Sequence, residues 1–111
     1  MEFSSEARKD LTDTIRYIKD NLQEHNVAIK LSNKIKENIY NLSENPKIYG
    51  VIDDNFLRKL QLRKIIVENY IIFYRVIDEE NTIQIVRIMY KRRNWSNLLW
   101  CEKIIVGKDE F

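Results

Sequence analysis

With 111 residues, 44% of them hydrophobic and 32% charged, the chain suits one domain over residues 1–111 built on one core. Two glycines and one proline argue against linkers or low-complexity tracts, and no apolar run reaches the roughly 20 residues that span a bilayer. A lone Cys101 excludes an internal disulfide, and "MEFSSEARKD" lacks a signal-peptide layout, so a reducing cytoplasm is the expected location.

Ser4 or Ser5 is suited to cap a first helix. Behind it, Ala7, Leu11, Ile15, Ile18 and Leu22 recur at helical spacing and predict one buried face. "QEHN" breaks that pattern, placing His25 in a link. Ala28, Leu31, Ile35, Ile39 and Leu42 then make a second stripe, which Pro46 closes by disfavouring helix at Asn45. The two helices should form an antiparallel hairpin. Residues 47–62 read as a loop, with a helical turn near Phe56 to Leu60.

The periodicity then changes. "RKIIVE", "NYIIFYRVI" and "TIQIVRIMY" are rich in β-branched and aromatic residues, and "DEEN" suits a hairpin loop, so a three-stranded antiparallel meander is expected. Strict alternation puts Ile83, Ile85, Arg87 and Met89 on one face of the last strand, and Gln84, Val86, Ile88 and Tyr90 on the other. In the strand before it, Ile71, Phe73 and Arg75 alternate with Tyr70, Ile72, Tyr74 and Val76. Both faces are apolar enough to need cover. The helix hairpin supplies one layer; "NLLWCEKIIV" supplies part of another, as a short C-terminal helix whose end reads equally as a strand.

The net charge of +2 conceals an uneven distribution. Residues 58–93 hold nine cations against four carboxylates, a local +5, which leaves the remainder at −3. This half should attract a polyanion or an acidic protein. Arg75 and Arg87 interrupt apolar strands, and a buried guanidinium must find a partner. Either each pairs with an acid or reaches water, or the two converge on phosphate or carboxylate groups. Lys91, Arg92 and Arg93, flanked by Tyr90 and Trp95, read either as a solvated turn or as an aromatic and cationic interface. The chain has one histidine, no Cys/His set with metal-ligand spacing, and neither a glycine-rich phosphate loop nor a nucleophile elbow, so no cofactor or metal is expected.

"FSSEARKDLTDTIRYIKDNL", "NIYNLSENPKIY" and "RKIIVENYIIFYRVIDEENTIQIVRIMYKRRNW" resemble, in order and spacing, the RelE/ParE superfamily, toxins of type II toxin–antitoxin pairs, over about residues 2–99. The resemblance implies an α+β fold: an N-terminal two-helix hairpin packed on a small antiparallel sheet, in which a short N-terminal strand joins the meander. That strand looks cut short, with only "MEF" before the serines. The resemblance also implies a growth-inhibiting toxin neutralised by a cognate acidic antitoxin. ParE-like members inhibit DNA gyrase, whereas RelE-like members cut messenger RNA on the ribosome. The long hairpin and "NYIIFYRV" resemble the ParE side. RelE-like nucleases tend to carry arginine where this chain has Ile71, and their late tyrosine falls near Leu98 here.

Target binding is therefore expected at Arg63, Lys64, Arg75, Arg87, Tyr90, Lys91, Arg92, Arg93 and Trp95, and antitoxin binding at Leu98, Leu99 and Trp100. A ribonuclease would instead draw on Tyr90, Arg87, Arg92 and Arg75, with Glu68 as a further acid or base. A third alternative is a non-toxic adaptor of the same fold.

Overall fold

The computed structural model describes residues 2–53 and 59–91. The chain begins with strand β1 (Glu2–Phe3) and helix α1 (Ser5–Arg16), which runs into a π-helical turn, Tyr17–Asn21. Helix α2 (His25–Glu44) follows, then strands β2 (Arg63–Val67), β3 (Tyr70–Ile77) and β4 (Thr82–Tyr90). The helix proposed at the C-terminus, and most of the turn near Phe56, lie outside the described residues.

The sheet order is β1-β4-β3-β2. The meander is antiparallel, as expected, but β1 runs parallel to β4, so the sheet is mixed. Ser4 joins the two elements beside it. Its hydroxyl accepts from the Ala7 amide at 3.0 Å, capping α1, and donates to the Val86 carbonyl at 2.8 Å. Its own amide donates to the Ile85 carbonyl at 2.9 Å.

All five residues of the α2 stripe are buried, and they pack with Ile65, Ile72, Tyr74 and Ile85 on one face of the sheet. Each large aliphatic side chain among them contributes roughly 1.5–3 kcal/mol. The helix stops at Glu44, one residue before Asn45 and Pro46.

The first stripe departs from its expected course. Ala7 and Ile18 are buried, but Leu22 is 52% exposed. The π turn explains the difference. The Leu22 amide bonds the Tyr17 carbonyl, five residues back, so the turn holds one more residue than an α-helical turn and rotates Leu22 off the stripe. Gln23, with φ of 53°, reverses the chain, and His25 is the first residue of α2 rather than part of the link.

The sheet's second face carries Ile71, Phe73, Val86 and Met89, with Ile52, Leu60 and Leu62 packed against them. Alternation holds along β3 and fails along β4. Tyr74 stands opposite Ile85, while Phe73 stands opposite Arg87, so Val86 is an extra residue. Beyond this bulge the faces exchange. Ile83 and Ile85 face the helices, whereas Met89, expected beside them, packs on the far side.

Candidate target-binding site

The bulge also decides the position of Arg87. Only 7% exposed, its guanidinium donates from Nε to Asp10 Oδ2 at 2.6 Å and from the terminal nitrogen to Oδ1 at 2.9 Å. The same carboxylate accepts the Ile88 amide at 2.9 Å. Asp10 therefore caps the edge of β4 beyond the end of β1, and Arg87 neutralises it. Arg87, expected to face a ligand, is turned inward to an acid of α1 because an unpaired guanidinium there would be prohibitively costly.

The other expected cations divide between two ends of the sheet. Arg75, half-buried, donates from Nε to Gln84 Oε1 at 2.8 Å across the β3–β4 pair. Arg63 pairs with Tyr74 in the β2–β3 register and donates to the Tyr49 carbonyl. Lys64 stands opposite Phe73. Tyr90 and Lys91 lie at the other end, where Tyr90 pairs with Tyr70, five residues or about 17 Å along β3 from Arg75. Glu68, in the β2–β3 turn, is ion-paired with Lys34 of α2. Arg92, Arg93, Trp95, Leu98, Leu99 and Trp100 lie outside the described residues.

The Tyr90 end is a formed site. The Lys91 amide donates to the Asn69 carbonyl at 2.8 Å, fixing the strand's exit beside the β2–β3 turn. Tyr70 and Tyr90 meet edge to face, ring centroids 5.6 Å apart and planes at 68°. They line an open groove of about 560 Å³ with Tyr17, Leu22, Ile88 and Met89. Burial raises the Tyr70 phenol above the usual tyrosine range, and the neighbouring Tyr90 and Tyr17 raise it further. It is thus kept neutral and suited to packing and hydrogen bonding rather than proton abstraction. The sequence reading missed Tyr17, Leu22 and Tyr70 as groove residues. Tyr17 alone gave a signal, as an aromatic lying off the apolar stripe of its helix. Among the described residues no cluster of His, Cys, Asp and Glu could hold a metal ion, and no helix is long and apolar enough to cross a membrane.

A helix hairpin on one face of a β-meander, with Ser4 and Asp10 tying the first elements to the last strand, is the framework. Compared with known families, residues 1–95 match the profile described as "ParE toxin of type II toxin-antitoxin system, parDE". The chain belongs to the ParE toxin family. A search of curated proteins gave no match. Membership makes this ParE-family chain the toxin component of a type II pair and implies an antitoxin partner. The groove at the Tyr90 end is formed by the matched segment, since every residue lining it lies within residues 1–95.

Proposed function

We propose that this ParE-family toxin acts in the cytoplasm by binding an essential target, DNA gyrase, rather than by cleaving RNA. The observation that carries this reading is the buried Arg87–Asp10 pair. Cleavage at a ribose 2′-hydroxyl needs a base, an acid and cations converging on one phosphate. Of the described residues expected in that role, Arg87 is committed to Asp10, Arg75 to Gln84 at the opposite end from Tyr90, and Glu68 to Lys34. Tyr90 lines the groove and Lys91 follows it at the strand's exit, an aromatic and cationic pairing suited to a protein interface. The candidate contact surface is therefore Tyr90, Lys91 and the groove tyrosines; Arg92, Arg93 and Trp95, which follow in sequence, are proposed as further target contacts.

Purified toxin should inhibit supercoiling by gyrase, and its induction should trigger the DNA-damage response. Rapid messenger RNA cuts that require ribosomes, with gyrase unaffected, would instead establish the endoribonuclease alternative. An inert phenotype in both assays would favour the non-toxic adaptor. Leu98, Leu99 and Trp100 are the proposed antitoxin anchor. Binding held by apolar anchors should survive high salt and fail when those three become polar.

A further inference from the structure

Asp10, Asp13 and Tyr17 follow one another at spacings of three and four residues, so they share one side, and all three line the Tyr90 groove. The strands add Tyr70 and Tyr90. Three aromatic rings thus share the groove, and Tyr17 and Tyr90 are 52% and 38% exposed. None of the described residues lining it is a lysine or an arginine. Its two carboxylates differ in availability. Asp10 is largely buried and is met from within by Arg87. Asp13 lies at the surface, bonded at 2.8 Å to Lys9, four residues back on the same helix. That bond holds its carboxyl below the usual carboxylate range, so it is ionised at neutral pH. So exposed an ion pair is worth little, and Lys9 can yield to another cation. Lys91 does not line the groove; it acts on Glu68, whose carboxyl is lowered first by Lys34 and less by Lys91.

We infer that the Tyr90 groove receives an arginine side chain of the target protein, its guanidinium set against the tyrosine rings and forked onto Asp13. The inference rests on the reading that the toxin binds a protein target at this groove. Charge decides the sign. An anion would meet the negative faces of the tyrosine rings and an ionised aspartate, whereas a cation is attracted by both. Shape selects arginine over lysine, because a planar guanidinium stacks on rings and also pairs with a carboxylate through two parallel N–H groups. Leu22, Ile88 and Met89, which complete the apolar lining, suit the aliphatic stem of such a side chain. Groove and rim therefore prefer opposite charges, the groove a cation and Lys91 a carboxylate of the same partner.

The test titrates the full-length toxin, followed by NMR, with four capped amino acids: the N-acetyl amides of arginine, citrulline, lysine and glutamate. Citrulline keeps the shape of arginine without its charge. The arginine amide should give saturable shifts concentrated at Asp13, Tyr17, Tyr70 and Tyr90. The lysine amide should bind there more weakly, and the citrulline and glutamate amides should leave those signals in place. Asp13→Asn should weaken arginine binding by about threefold to fivefold, the scale of one exposed charged contact. Tyr17→Ala should weaken it by a similar factor. Both sites are exposed, and a thermal melt of each variant checks the fold. Lys9→Ala should instead tighten binding, because it removes the cation that competes for Asp13. Equal shifts from the citrulline amide, preference for the glutamate amide, or arginine shifts confined to residues outside the groove would overturn the inference. Supercoiling inhibition by the unaltered toxin is scored separately, so failure of the gyrase reading is told apart from failure of the groove chemistry.

Discussion

At the scale of single residues, Asp10 serves three donors: two from Arg87 and the Ile88 amide. Removing one member of a buried pair leaves the other charged and desolvated. Arg87→Ala should therefore lower stability by about 3–5 kcal/mol, read from urea denaturation. Arg75→Ala, which loses one half-buried bond to Gln84, should cost about 1 kcal/mol. A variant at position 87 that lost toxicity with an unchanged urea midpoint would return Arg87 to the ligand-facing role first assigned to it. Tyr70 sets a pH limit. Its folded pKa is raised, chiefly by burial, so its contribution is complete below the unfolded value of about 10 and is lost as pH rises through the folded one. The melting temperature should fall across that alkaline range, and less steeply in Tyr70→Phe.

At the scale of elements, the π turn separates two residues that the apolar spacing treats alike. Ile18, 6% exposed, should cost about 2–5 kcal/mol on replacement by alanine. Leu22→Asn should cost less, about 0.5 kcal/mol, because about half of its surface already lies in solvent. Differential scanning calorimetry of the two variants checks this contrast. The same contrast shows what was legible. The stripe of α2 and the alternation of β3 follow from regular periods, and the structure obeys both. Leu22 and Met89 went astray because one inserted residue, in a π turn or a bulge, shifts everything after it while leaving the residue types unchanged. The partner of Arg87 was illegible for another reason: Asp10 is 77 positions away, and local spacing carries no trace of so distant a contact. The division of the cations between two ends follows from strand register, which composition does not contain.

At the scale of the whole molecule, that division gives the proposed target site a direction. Charge reversal at Lys91 should weaken gyrase inhibition by about tenfold, the effect of losing one charge-assisted contact. Reversal at Arg75, about 17 Å along the sheet, should leave inhibition nearly unchanged, as measured by supercoiling assays. The union of Ser4 and Asp10 with β4 has a further consequence, for timing. Their bonds to Val86 and Arg87 join positions 82 and 77 residues apart, so the chain must be synthesised nearly through β4 before either can form. Closing such long loops is entropically demanding and late. A ribosome-bound chain ending before β4 should therefore remain protease-sensitive. Since β4 also supplies the Tyr90 end of the groove, the emerging polypeptide would be harmless for most of its synthesis. That interval allows an antitoxin already in the cell to meet the toxin as it folds.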